Sequence, residues 1–150
     1  MSEKGFVLIV GESNAGELLN GGSLPECEIV SATAAKEVDC PECAVIIGEG
    51  AEFPVVKRAA GVVISGDSGG IIPTERICGI QVITCGRCGK NTVCVTSSAG
   101  EQLTLALNRG ISTLGGFCEP MELPVKPPQN ASEYDCMAAF AAAALLGMIG

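Results

Sequence analysis

Short runs dominated by apolar residues recur along the first two-thirds of the chain, at 6–10, 28–30, 44–47, 61–64 and 80–84. Each is too short for an ordinary helix and most are rich in Val and Ile, so they read as strands, most of them buried on both faces. Glycine-containing loops and short helical stretches around 16–20, 53–60 and 73–78 would supply the crossovers of a parallel sheet. From Asn91 the period changes. Val93 and Val95, then Leu103, Leu105 and Leu107, then Met121, Leu123 and Val125 alternate with other residues, while 98–101 and 108–110 hold Gly and Asn where the chain would reverse. Alternation at period two places one face on the core and the other toward solvent, which predicts a small antiparallel meander over residues 91–126.

The stiff connector Pro124-Val125-Lys126-Pro127-Pro128 marks the next change of element. Ser132 and Asp135 then have capping-box spacing, with Asp in place of the usual Glu or Gln, and an Ala/Leu/Met run follows to Met148. That helix is apolar on every side, so it belongs in the interior. The small Ala138, Ala139, Ala141 and Ala142 would let it approach a sheet closely. The uncharged stretch 136–150 is shorter than the ~20 residues that cross a bilayer. The expected fold is therefore α/β, a mostly parallel sheet with flanking short helices, plus the meander and a buried C-terminal helix, in one domain over residues 1–150.

Composition narrows the function. Of 150 residues, 47% are apolar and only 3% aromatic, so Val, Ile, Leu, Ala and Cys must build the core and platforms for stacking bases are lacking. A net charge of −8 opposes a phosphate-tracking surface, and nucleic acid is not an expected partner. Ten of the seventeen acids lie in the first 55 residues with only Lys4 and Lys36 against them, which reads as a solvated acidic rim. The absence of histidine excludes His-based triads, imidazole general bases and HExxH zinc sites. The start carries no basic segment and its apolar run 6–10 is shorter than a secretory core, so a cytoplasmic protein with no membrane partner is expected. An odd number of cysteines, nine, several inside apolar runs, fits reduced thiols better than a disulfide framework.

Four segments could carry chemistry. Gly11-Glu12-Ser13-Asn14-Ala15-Gly16 follows the first strand, where α/β folds often bind ligands, and makes Gly11 and Asn14 candidate ligand contacts. It lacks the Gly-Lys-Ser/Thr ending of a P-loop, and Glu12 and Glu17 would repel an anion. Gly66 and Asp67, in Ile64-Ser65-Gly66-Asp67-Ser68-Gly69-Gly70, occupy the matching place after a later strand, but Ser65 and Ser68 have no histidine to activate them. Cys40-Pro41-Glu42-Cys43 and Cys85-Gly86-Arg87-Cys88 are two CxxC pairs. If Cys40, Cys43, Cys85 and Cys88 met in space they would close a tetrahedral zinc site; a redox pair and a set of ordinary reduced thiols are the alternatives. No cofactor is otherwise expected.

Read in order, these residues resemble the central domain of the Mur ligases, the ATP-dependent amino-acid-adding enzymes of bacterial peptidoglycan synthesis. The collinear cues are Val7-Leu8-Ile9-Val10-Gly11 with Gly16-Glu17-Leu18, Val62-Val63-Ile64-Ser65-Gly66-Asp67, Gln81-Val82-Ile83-Thr84-Cys85-Gly86, and Glu133-Tyr134-Asp135-Cys136-Met137-Ala138-Ala139 with Leu146-Gly147. The resemblance implies a parallel sheet joined to a small antiparallel one. It also exposes losses: no phosphate loop, Ile9 where the family has its magnesium-binding glutamate, Ala131-Ser132 in place of a His-Asn pair, and Asp135 in place of a later asparagine. Without a triphosphate cradle or metal ligands, ligase chemistry has nothing to stabilise phosphoryl transfer.

The expectation is a non-catalytic binding or assembly module, a pseudoenzyme whose partner is a protein or small molecule, with homodimer formation through the meander edge possible. The rivals are a module stabilised by zinc on the four cysteines of the CxxC pairs and a residual nucleotide-binding enzyme.

Overall fold

The computed structural model describes residues 5–66, 74–77 and 79–149. Among these residues twelve strands run in order: Phe6–Val10 (β1), Glu28–Ala32 (β2), Glu37–Asp39 (β3), Cys43–Ile47 (β4), Val55–Arg58 (β5), Gly61–Ser65 (β6), Val82–Cys85 (β7), Val93–Ala99 (β8), Gln102–Leu107 (β9), Ile111–Thr113 (β10), Gly116–Cys118 (β11) and Met121–Val125 (β12). The one α-helix among the described residues is Glu133–Leu145 (α1). Eight strands form a mixed sheet in the order β12-β9-β8-β7-β6-β4-β1-β2. The six from β8 to β2 are parallel neighbours, while β9 and β12 pair antiparallel.

This corrects the expected helix-flanked α/β fold: strand outweighs helix, 41% against 13%, and the fold is of the mostly-β class. The crossovers expected as helices are strands or single turns. Segment 53–60 contains β5, where Pro54 and the consecutive β-branched Val55 and Val56 disfavour a helix, and Val56 turns inward while Lys57 and Arg58 face solvent. β5 pairs parallel with β3, and Ile77 bridges to Val56, so between β3 and β7 the chain alternates between a small second sheet and the large one, in the manner of a β-solenoid. Segment 16–20 holds part of one 3-10 turn, Ala15–Glu17, and the third stretch shows only the 3-10 turn Thr74–Arg76 among its described residues.

The two faces of the large sheet follow from alternation. Val10, Val45, Ile47 and Val62 face the small sheet and meet Val38 and Val56 in one core. Val7, Ile9, Ala44, Ile46, Val63 and Ile83 face the other way, toward α1. The meander is not a separate sheet. Cys85 pairs with Val93, which joins it to the parallel strands, and its inward Leu103, Leu105, Leu107 and Val125 extend the helix-side core. The β10–β11 hairpin interrupts it between β9 and β12.

The helix begins at the expected cap: Asp135 N–H donates to Ser132 Oγ at 3.1 Å and Ser132 N–H donates to Asp135 Oδ2 at 2.9 Å. Every residue from Tyr134 to Leu145 is buried. The helix packs on β4, β6, β7, β8 and β9 and is flanked by the 15–17 turn and β10, which explains its uniform apolarity. Gly61 permits the approach, since a Cβ there would lie 2.7 Å from Leu145 Cδ2.

Candidate functional site

Four neighbouring parallel strands finish alike in sequence: Val10-Gly11-Glu12, Ile47-Gly48-Glu49, Ser65-Gly66-Asp67 and Cys85-Gly86-Arg87 each end in glycine followed by a charged residue. Each glycine N–H extends the ladder by one bond, to the carbonyls of Ala32, Val10, Cys85 and Val93 in turn, at 2.8–3.0 Å. At three of them a side chain would not fit. A Cβ on Gly48 would lie 2.5 Å from the Glu12 carbonyl oxygen, and one on Gly66 would lie 1.8 Å from Asn91 Oδ1. Gly11 has φ +87° and its Cβ would meet Ala51 at 2.5 Å. The strand-end loops therefore interlock and bring Glu12, Glu49 and Arg87 to a common edge. Gly48→Ala forces two backbones apart and is expected to cost about 1–3 kcal/mol, read as a lowered urea midpoint with unchanged slope.

That edge adjoins the N-terminus of α1, and between them lies a cleft of about 580 Å³. Its wall includes Gly11, Glu12, Ser13, Asn14, Ser31, Glu49, Ser132 and Asp135. Asp135 is buried at the helix start, where Ser13 Oγ–H donates to its Oδ1 at 2.8 Å. Ala15 N–H donates in turn to Ser13 Oγ, and Asn14 Nδ2 donates to the Asn130 carbonyl at 2.7 Å, which ties the first strand's loop to the helix entry. Tyr134 fixes the floor: its hydroxyl donates to the Ile47 carbonyl at 2.6 Å and lies 3.3 Å from that of Val63. Burial, chiefly, raises its phenol far above the ordinary range, so it stays protonated. An adjoining lobe of about 340 Å³ shares Glu49, Ser132 and Tyr134 and contains Arg87, whose guanidinium forks onto Glu133 at 2.8 and 2.6 Å.

The electrostatics of the main cleft are one-signed. Glu12, Glu49 and Asp135 line it and, among the described residues, no Lys or Arg does. The helix N-terminus does not offset this for an anion, because its own cap, Ser132 with Asp135, already occupies leading donors.

Of the sequence-predicted contacts, Gly11 and Asn14 stand in the cleft wall. Gly66 is exposed past the end of β6, beside Asn91, and Asp67 lies outside the described residues. Glu49, Ser31 and Tyr134 are not singled out by sequence reasoning. The repeated Gly-acid ending, Gly11-Glu12 and Gly48-Glu49, is the signal that could have found Glu49.

The two CxxC pairs sit at opposite ends of the sheet. Cys43 opens β4 on the small-sheet side, while Cys85 closes β7 on the helix side, some five residues or roughly 16 Å further along the strands. Cys40, Cys43, Cys85 and Cys88 are thus not brought together, and the described residues hold no group of three or more metal-ligating side chains. The donor set does not fit a four-thiolate zinc centre. Burial pushes the Cys43 thiol up to about 12 and the Cys136 thiol up to about 11, and raises that of Cys85 further still, which keeps all three protonated at neutral pH.

Among the described residues no helix is long and apolar enough to cross a membrane. Comparison with protein-family models, curated proteins and solved structures finds no match.

Proposed function

We propose that the chain is a non-catalytic binding module that takes a small, cationic, hydrogen-bonding ligand at the carboxyl ends of its parallel strands. The observation that carries this reading is the cleft walled by Glu12, Glu49 and Asp135 with no cation among its described lining residues. Its volume lies in the range of small-molecule sites, and three carboxylates with the hydroxyls of Ser13, Ser31 and Ser132 suit an amine or amino sugar. Phosphate-bearing ligands would meet repulsion from the same carboxylates. Two of its acidic groups have structural partners, Asp135 in the helix cap and Tyr134 on backbone carbonyls, which leaves Glu12 and Glu49 to meet the ligand's charge.

Descent from a Mur ligase centre belongs to this proposal. What supports it is that its cues fall on β1, β6, β7 and α1, the elements that meet around the cleft and its adjoining lobe; the strand crossovers speak against it. Pairing of two copies through β12 is disfavoured, because Glu122 and Pro124 on that edge strand both oppose strand addition.

Calorimetry tests the reading. Spermidine is expected to bind with an affinity that weakens about tenfold in Glu49→Gln and falls with added salt. Binding of Mg-ATP, or its hydrolysis, would overturn the reading in favour of a residual nucleotide enzyme.

A further inference from the structure

Two sulfurs mark the joint between the small and large sheets. β3 ends at Asp39, β4 begins at Cys43, and Cys40-Pro41-Glu42-Cys43 makes the turn, closed by Cys43 N–H donating to the Cys40 carbonyl at 3.2 Å. A turn closed in this way brings its first and last α-carbons within about 7 Å, and a disulfide spans about 4.4–6.8 Å. Both side chains face one apolar cluster, with Cys43 inside it and Cys40 packed against its margin. The turn is also anchored, since Cys40 N–H donates to the Arg58 carbonyl on β5 at 3.0 Å. Neither is in a disulfide, and Cys40 Sγ–H donates to Glu42 Oε1 within the same turn at 3.7 Å.

We propose that Cys40 and Cys43 form a dithiol that a disulfide reagent of the glutathione class oxidises to an intra-turn disulfide, a reversible modification site at the end of the sheet remote from the cleft. The half-buried Cys40, as thiolate, attacks one sulfur of the oxidised reagent. The reagent's S–S bond breaks, and one reagent thiolate leaves and takes a proton from water. Cys43 then gives its proton to water and attacks the Cys40 sulfur of the mixed disulfide, which releases the second reagent thiol. Two cysteine thiols are oxidised and one reagent disulfide is reduced to two thiols, so the exchange balances. Burial assigns the order: Cys43 is 1% exposed and its thiol is held protonated, so it acts second and slowly.

The other pair supplies an internal contrast. Cys85 is buried beneath α1 and Cys88 is exposed, and the bend between them is not closed by a hydrogen bond from Cys88 to Cys85: the Cys85 carbonyl accepts from Gly66 N–H, Gly86 N–H donates to the Val93 carbonyl, and the Cys88 carbonyl accepts from Asn91 N–H. Cys85 and Cys88 therefore lack the closed turn that holds Cys40 beside Cys43.

Incubation of the full chain with oxidised glutathione, alkylation of remaining thiols and peptide mapping by mass spectrometry tests this. The expected course is a mixed disulfide on Cys40 that rises and then decays into a Cys40–Cys43 cross-link, reversed by dithiothreitol and formed at least about tenfold faster than any Cys85–Cys88 cross-link. In Cys43→Ser the mixed disulfide on Cys40 should persist. The wild-type time course decides the matter even if that variant folds poorly. A mixed disulfide that never resolves, or a Cys85–Cys88 cross-link that forms as fast, would overturn the proposal.

Discussion

Ala142→Asp should leave the chain largely unfolded. Ala142 is wholly buried in the middle of α1, between Ala141 and Ala143, which are buried as completely. The surroundings are the apolar side chains of the large sheet, the 15–17 turn and the β10 hairpin. Among them a carboxylate has no cation to pair with, and a neutral carboxylic acid has no acceptor. Burying either costs several kcal/mol, and the added bulk strains an alanine-tight contact. Against a total stability on the order of 5–15 kcal/mol this is sufficient to move most molecules to the unfolded state. Circular dichroism would report the loss of both helix and sheet, because the helix packs across five neighbouring strands of the large sheet, β4, β6, β7, β8 and β9. The same substitution at Ser98, exposed on β8, should change stability by no more than about 0.5 kcal/mol. A cooperatively folded Ala142→Asp protein with near-native stability would show that α1 is not the centre of the core.

Stability should also fall steeply in alkali, and the sign follows from the buried acids. Cys43, Cys85, Cys136 and Tyr134 all have their ionisation raised in the folded chain, first by burial. In the unfolded chain the thiols release protons near 9.0 and the phenol near 10.0. Above about pH 9 the unfolded state therefore binds fewer protons than the native one, and stability declines as pH rises. Their contribution is fully present below about pH 8 and is lost progressively as pH climbs toward the folded values. Each fully engaged group adds a slope of up to about 1.4 kcal/mol per pH unit, so several acting together make the loss large. Urea midpoints measured from neutrality to about pH 11 check this. Cys136→Ala should flatten the decline, and a midpoint that stays constant across that range would contradict it.

Some of this molecule is legible in its sequence. The runs that form β1, β4 and β6 announce themselves by consecutive apolar residues rich in Val and Ile, because strands covered on both faces leave little room for polar alternation. Ser132 and Asp135 announce the helix start by a local hydrogen-bond pattern that needs no tertiary partner. The connections between strands are less legible. A parallel pair needs a crossover and helices usually supply it, an expectation that sets Val55-Val56 in a helical stretch against its own β-branched character. The small sheet that overrides the expectation exists only through pairing between β3 and β5, residues distant in sequence. The cleft is half legible: Gly11 and Asn14 follow a strand where ligands often bind, but Glu49 joins them only because β4 lies beside β1, which the run of apolar residues does not state. The separation of the two CxxC pairs likewise depends on strand order and direction, not on their spacing.

The cleft as a cation-binding site is tested most directly by following backbone amide resonances of the folded protein while spermidine is added. Saturable shifts confined to Gly11, Glu12, Ser13, Gly48, Glu49 and the first turn of α1, and absent when Mg-ATP is added instead, are the predicted result. Shifts scattered elsewhere, or a response at these amides to Mg-ATP and not to the polyamine, would contradict it.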